Sequence, residues 1–369
     1  MNDDYISGLR RDLVEAAARQ QQGGRAADVV RPLRPRAWSP LAVFGAAATV
    51  AALLLVVVTL RAVNPPREPS AAKIVATVHL DGQPLDAVAV GGSVVVADYA
   101  GDLTQIDARD PDVRTLLNTE GKPVTLAEGT PLSLAADGNS LWVLSAIRKA
   151  GHAPRYSIDK IDIRSSGYAL ERRPLDHLVD AVATGATGLW LPPTVVRRGD
   201  LVGSGAEPPA INPTNGLGVE GLIVGERGVW VRMGDAVIEL DGRGRVVNRV
   251  DGISPVLAFE TQHSLLPDGD GAWVAGQDGG VLYRIEDGRV ARRVKVGRTA
   301  GVLARTGSTV WVSATSSAGR YELVRVDADD GRVTGRLALG RNAPQAIVPV
   351  GKQLWVVTSG GDAIVVNPE

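Results

Sequence analysis

The hexapeptide TVWVSA at residues 309–314 has five relatives elsewhere in the chain. Each has a tryptophan flanked on its N-terminal side by an apolar residue, and each follows a turn that contains glycine. The relatives are SLWVLS (140–145), GLWLPP (188–193), GVWVRM (228–233), GAWVAG (271–276) and QLWVVT (353–358). Successive tryptophans are 38 to 48 residues apart, which is the length of one four-stranded β-propeller blade.

A seventh unit and a closing strand complete the predicted ring. The seventh unit is AVAVGGSVVVADYAGDLTQID (87–107), which has the same pattern with Val95 at the aromatic position. Segments such as YELVRVDADDGRVTGRLALG (321–340) alternate apolar and polar residues on both sides of a turn, as the third and fourth strands of a blade do. The last unit ends at DAIVVNPE (362–369) without a fourth strand, and KIVATVHLDG (73–82) is available to supply it. We therefore predict an all-β, seven-bladed β-propeller over residues 73–369, closed by strand 73–82, with the tryptophans packed between blades.

The first 72 residues have a different composition. Residues 1–40 are predicted to be a cytoplasmic tail with a short amphipathic helix, since Tyr5, Leu9 and Leu13 are four apart. Residues 41–60, LAVFGAAATVAALLLVVVTL, form an uncharged run about 30 Å long as a helix, which predicts a transmembrane signal anchor. A cleaved signal peptide is the alternative. Residues 61–72 contain three prolines and indicate an extended tether.

The arginines around the apolar run predict its orientation. Seven precede it and two closely follow it, so the positive-inside rule places the N-terminus in the cytoplasm and the propeller outside. The preceding arginines are Arg10, Arg11, Arg19, Arg25, Arg31, Arg34 and Arg36, and the following basic residues are Arg61, Arg67 and, further on, Lys73. We expect a single-pass protein of the cell membrane with an extracytoplasmic propeller.

The composition excludes several kinds of site. The chain has 40 Lys and Arg against 41 Asp and Glu, so no net field attracts nucleic acid. It has no cysteine, which excludes disulfides and thiolate metal sites. Its four histidines have no spacing suited to one metal. We expect no catalytic constellation, no metal and no cofactor.

The segment DADDGRVTGRLALGRNAPQAIVPVGKQLWVVTSGGDAIVVNP (327–368) resembles the YVTN and virginiamycin B lyase type of seven-bladed propeller repeat. The resemblance covers residues 73–369 and implies the architecture, whereas the activity varies among proteins with this repeat. It raises a lyase hypothesis, because that enzyme uses a histidine and a divalent metal. Neither His152 nor His263 lies in a segment that matches the enzyme's catalytic motif.

Two irregular stretches are the candidate ligand-contact loops. AIRKAGHAPRYS (146–157) is basic and carries His152, Arg155 and Tyr156, and residues 191–217 interrupt the repeat and carry Arg197 and Arg198. His263 precedes another turn, in which Asp268 and Asp270 suit either a calcium ion or a plain hairpin.

The resulting hypothesis is a non-enzymatic binding or scaffold module for a protein, peptide or glycan. The alternative is a propeller enzyme, lyase-like or quinoprotein-like, with its site at the central channel. A histidine pointing into the channel beside acidic residues would favour the enzyme.

Overall fold

The computed structural model describes most of the chain after residue 71. The described residues are 72–111, 113–115, 129–147, 152, 155–164, 167–175, 181–185, 188–191, 194–197, 219, 221–242, 244–254 and 262–368. They fall within the unit Glu68–Glu369. The predicted tail, span and tether up to residue 71 lie outside them. Within the described part, no helix has the length and apolar character needed to cross a membrane.

Seven antiparallel sheets make up this part of the chain. They are numbered so that the sheet that starts with β2 is the first and the sheet that contains β25 and β1 is the seventh. The first three sheets contain β2 (Pro84–Val90), β3 (Ser93–Asp98), β4 (Leu103–Asp107) and β5 (Val113–Thr115); β6 (Thr130–Asp137), β7 (Ser140–Ile147), β8 (Arg155–Arg164) and β9 (Gly167–Leu175); and β10 (Ala183–Gly185), β11 (Gly188–Leu191) and β12 (Thr194–Arg197). The next three contain β13 (Gly221–Val224), β14 (Gly228–Met233), β15 (Ala236–Asp241) and β16 (Val246–Val250); β17 (Leu265–Asp268), β18 (Gly271–Gly276), β19 (Val281–Glu286) and β20 (Arg289–Lys295); and β21 (Thr299–Thr306), β22 (Thr309–Thr315), β23 (Tyr321–Asp327) and β24 (Val333–Gly340). The seventh contains β25 (Pro344–Val350), β26 (Gln353–Thr358), β27 (Asp362–Asn367) and β1 (Lys73–His79).

The sheets are arranged as a propeller. The first strand of each sheet contacts the first strands of the sheets before and after it, so β2, β6, β10, β13, β17, β21 and β25 form a closed inner ring. Six sheets are complete four-stranded blades, not the seven expected from the sequence, because the third sheet has only three strands among the described residues. Its fourth strand would have to come from residues after Arg197, where the repeat pattern is lost.

The N-terminal strand closes the ring in the expected way. β1 pairs antiparallel with β27, from Lys73 opposite Asn367 to His79 opposite Asp362. His79 Nδ1 and Asp362 Oδ1 lie 2.6 Å apart at the end of this pairing. Ile74, next to a register shift in this pairing, is exposed, while Val78 packs against the inner apolar residues.

The tryptophans pack between neighbouring sheets, as predicted. Their exposed fractions are between 0% and 8%. Trp273 of the fifth sheet contacts Leu303 and Val312 of the sixth, and Trp355 of the seventh lies among residues of the first. Val95, at the aromatic position of the first sheet, packs against the second sheet. Burial of these side chains holds adjacent blades together.

The two ends of the ring differ in their connections. At one end, short turns join the first and second strands, and most of these turns have two residues. Gly91 and Gly92 form one of them, and both have positive φ, which suits a tight hairpin. We call this the hairpin end. We call the other end the loop end. There each second strand finishes, and there the chain enters the first strand of the next sheet. The long segments 116–128, 148–154, 176–180 and 255–261 join strands that end or begin there, whereas the segment after Arg197 leaves β12 at the hairpin end.

Both predicted loops are shorter than the sequence suggested. β7 continues to Ile147 and β8 begins at Arg155, so the interruption in the second sheet covers only residues 148–154. Within 191–217, residues Thr194–Arg197 form strand β12, which pairs with β11. Thr, Val and Val favour a strand, and the two prolines before them confine the break to the turn.

Candidate functional site

The predicted contact residues fall at opposite ends of the ring. His152 and Arg155 are exposed at the loop end of the second sheet, and Tyr156 beside them is half-buried. His263 also lies at the loop end, in a 3-10 turn at Gln262–Ser264 that directly precedes β17. Arg197 is different, because it pairs with Gly188 at the hairpin end. Arg198 lies outside the described residues.

Asp86, a buried carboxylate in the inner strand β2, is not among the residues predicted from the sequence. A β-bulge places Pro84 opposite Asp98 and Asp86 opposite Ala97, and only 2% of Asp86 is exposed. Its carboxylate accepts the backbone N–H of Ala87 at 2.7 Å and that of Leu134, in the neighbouring sheet, also at 2.7 Å. Asp86 therefore satisfies backbone donors at the inner edge of the ring, where a sheet has no further strand to pair with.

A repeated pattern could have identified this residue. Pro131 and Ser133 form the same bulge in the second sheet, and Ser133 Oγ accepts the backbone N–H of Val182 at 3.2 Å. The seventh sheet repeats the bulge at Pro344, with Ala346 in the equivalent position. The signal is therefore a proline followed two residues later by a small residue. An aspartate in place of the small residue marks the first sheet as different.

The Gln262–Ser264 turn lies across the loop end of the inner ring. It contacts the inner strands β13, β21 and β25, which belong to the fourth, sixth and seventh sheets, as well as β18. His263 also reaches Asp86 in the first sheet, 177 positions away in the sequence. A three-residue turn that touches inner strands on so many sides of a ring must lie near its centre.

The His263 and Asp86 side chains form a close ion pair. His263 Nε2 is 2.5 Å from Asp86 Oδ1, and the exposed fractions of the two side chains are 25% and 2%. Burial alone would lower the pKa of His263, but the negative charge of Asp86 and the hydrogen bond to it outweigh burial, so the pKa is raised above its ordinary value of 6.5. The protonated imidazolium is therefore the form that this contact stabilises.

Arg232 holds the other side of the same turn. This fully buried residue of β14 donates from Nη1 to Ser264 Oγ at 3.2 Å and to the Ala275 carbonyl at 2.5 Å. Its Nη2 donates to the Ser254 carbonyl at 2.5 Å. Gly221, directly opposite Arg232, has no side chain that would compete for the space. The guanidinium therefore links β18, the segment after β16 and the turn.

The arrangement orients an imidazole but does not provide a metal centre. A buried aspartate that accepts a hydrogen bond from histidine fixes the ring and increases its basicity. The described residues contain no group of three or more His, Asp or Glu side chains that could hold a metal. Both Asp86 oxygens already accept hydrogen bonds. Among the described residues, therefore, no set of ligands fits the divalent metal implied by the lyase resemblance.

Asp268 and Asp270, which suit either a calcium ion or a plain hairpin, are both paired with arginines. Asp268 binds the guanidinium groups of Arg284, at 2.8 Å, and Arg305, and accepts the Trp273 indole N–H at 3.0 Å. Asp270 pairs with Arg227 at 2.7 Å. The two carboxylates belong to a plain hairpin between β17 and β18, as the other interpretation had it.

Comparisons with known proteins agree on the fold. No protein-family model matches the chain, and no curated protein does. A catalytically inactive virginiamycin B lyase from Staphylococcus aureus, solved with quinupristin, is 15% identical with a TM-score of 0.58, over 80% of this chain and 99% of that one. The Pan2 WD40 domain of Neurospora crassa is 10% identical with a TM-score of 0.59, over 82% and 97%. A chain of the mitotic checkpoint complex is 12% identical with a TM-score of 0.58, over 79% and 93%.

These similarities and the ring of inner strands define the class. The described part of the chain is an all-β propeller, like both the lyase and the WD40 structures. At such low identity the likeness concerns the fold and not the activity.

Proposed function

We propose that the chain is a membrane-anchored, extracytoplasmic propeller of the YVTN and virginiamycin B lyase repeat type that acts as a non-enzymatic binding or scaffold module. Its ligand is a protein, a peptide or a glycan. The observation that carries this proposal is the asymmetry between the two ends of the ring. Four long connections join strands at the loop end, whereas the hairpin end carries short turns and the start of one long connection, which leaves β12 after Arg197. Rigid scaffolds commonly present their binding residues on such loops.

The loop end also has the chemistry of a recognition surface. His152, Arg155 and Tyr156 lie there beside the second sheet, and His263 lies in the turn at the ring centre. Arginine and tyrosine are enriched in protein interfaces because they combine apolar area with hydrogen-bonding groups. The proposed ligand binds across this end of the ring.

Site-specific photocrosslinking tests the proposed face. A benzoylphenylalanine in place of Tyr156 samples the loop end, and one in place of Ser308, an exposed residue of the hairpin between β21 and β22, is the matched control. We expect crosslinked products in intact cells from position 156 and none from position 308. Equal products from both positions, or none from either, would refute a binding face at the loop end.

The proposed membrane anchor has a separate test. Since the chain has no cysteine, Ser70→Cys introduces a unique thiol just after the proposed span, within the tether. We expect an impermeant maleimide to label this thiol on intact cells. Labelling that requires cell lysis would reverse the proposed orientation.

A second candidate function is an enzyme with its site at the loop end of the ring. The observation in its favour is the contact between His263 and Asp86, because a histidine oriented by a buried aspartate is competent as a general base. The test is conversion of quinupristin, the compound bound in the similar lyase structure, followed by mass spectrometry. Conversion that is lost in His263→Ala would favour this candidate, and no conversion by the unmodified protein would count against a lyase.

A further inference from the structure

The Gln262–Ser264 turn is held at two points that differ in chemistry. On one side, Arg232 donates to Ser264 Oγ and to two backbone carbonyls, and an arginine keeps its charge at any ordinary pH. On the other side, the His263 ring is held by its hydrogen bond to Asp86. This second attachment depends on a titratable group.

We propose that the Gln262–Ser264 turn is a pH-sensitive plug at the loop end of the inner ring, with Arg232 as its permanent attachment and the His263 contact with Asp86 as its releasable latch. Deprotonation of His263 removes the ion pair and leaves at most a neutral hydrogen bond to Asp86, so the turn opens more readily about its Arg232 side. The inference concerns access to the ring centre and is independent of which ligand binds there.

The charged groups around the turn support a single latch. The packed strands β13, β18 and β25 carry no titratable side chain. β21 brings only Arg305, and β17 brings only Asp268, and these two residues are bound to each other. Among the described residues, Asp86 and Arg232 are therefore the charged groups that bind the turn directly.

The direction of the pH response follows from the same contact. The pKa of His263 is raised by the charge and hydrogen bond of Asp86, which outweigh the lowering effect of burial. A latch of this kind is fully formed below the ordinary histidine pKa and is lost as the pH rises through the raised value. The plug is thus closed in mildly acidic solution and opens on the alkaline side.

Thiol labelling of the turn itself tests the proposal on the full-length protein. Gln262→Cys places a thiol at the end of the turn away from Ser264, so the Arg232 attachment stays intact, and Ser308→Cys gives an exposed thiol at the hairpin end as the reference. The ratio of the two maleimide labelling rates removes the intrinsic pH dependence of thiol reactivity. We expect the ratio to rise as the pH increases from 6 to 9, because His263 loses its proton over this range.

Two backgrounds separate the latch from general loosening. In Asp86→Asn and in His263→Ala, the ratio should be raised already at pH 6 and should not change with pH. As a check that needs no substitution, backbone amide exchange of residues 262–265 in the unmodified protein, corrected for intrinsic rates, should accelerate over the same pH range. The proposal would be overturned if, in the protein that retains both His263 and Asp86, neither the labelling ratio nor the corrected exchange rate changed with pH.

Discussion

Asp86 and Leu134 join two sheets of the propeller through one hydrogen bond, in which the carboxylate accepts the backbone N–H at 2.7 Å. Ser133 makes the equivalent bond to Val182 one sheet further on. Side chains at the bulge thus take the place of a missing strand at the inner edge. Asp86 also binds His263, so this one residue connects two sheets and the central turn.

Substitution of Asp86 should separate these contributions. Asp86→Ala leaves the Ala87 and Leu134 donors unsatisfied, and a buried unsatisfied donor costs about 1 to 3 kcal/mol of unfolding free energy. Asp86→Ser copies the arrangement at Ser133. It should retain the hydrogen bond from Leu134 and therefore lose less unfolding free energy than Asp86→Ala. Urea unfolding of the two variants gives the comparison. Equal losses would mean that the Leu134 bond contributes nothing measurable.

The tryptophan indoles allow a matched comparison between sheets. Trp311 donates to Thr306, five residues earlier, at 2.8 Å, whereas the buried Trp355 indole N–H has no acceptor among the described residues and Val350 occupies the position five residues before it. Trp311→Phe and Trp355→Phe remove the same atoms. We expect the first to cost about 1 kcal/mol more, the usual net value of a hydrogen bond. Urea unfolding of both variants measures the difference, and equal costs would contradict a contribution from the Thr306 bond.

The same difference predicts a stabilising substitution. Val350→Thr places a hydroxyl where Thr306 stands in the sixth sheet, so it should provide an acceptor for Trp355 and increase stability by about 0.5 to 1.5 kcal/mol. The gain should vanish when Val350→Thr is combined with Trp355→Phe. A gain that persists in the double variant would have another cause.

Much of this fold could be predicted from the sequence, because the repeated tryptophan hexapeptides fix both the blade length and the packing residues. The pairing of β1 with β27 followed from the missing strand of the last unit. The third sheet could not be predicted well, since its unit loses the alternating pattern after Arg197. Asp86 was missed because an isolated aspartate in a strand gives no local sign that it meets a histidine 177 positions away.

Strand β1 should be required for stability, whereas the residues before it should not. Chains that begin at residues 64 and 73 should melt at the same temperature. A chain that begins at residue 82 loses the pairing with β27 and the packing of Val78 and Leu80, at a cost on the order of 3 kcal/mol. Equal melting temperatures for the chains beginning at 73 and 82 would show that the ring closes in another way.

The His263 contact should make stability depend on pH. Its raised pKa means that the ion pair adds stability below pH 6.5 and that this addition is lost as the pH rises through the raised value. His263→Gln can still donate to Asp86 but does not titrate, so it is the matched control. The difference in unfolding free energy between the two proteins should shrink from pH 6 to pH 9. A constant difference would contradict an ionic contact.

The most direct test of the site is an NMR titration of the His263 imidazole in the unmodified protein and in Asp86→Asn. Only four histidines contribute signals, and His263→Gln assigns the one of interest. We predict a pKa above 6.5 in the unmodified protein and below 6.5 in Asp86→Asn, where burial acts without the opposing charge. The same pKa in both proteins would contradict the contact between His263 and Asp86.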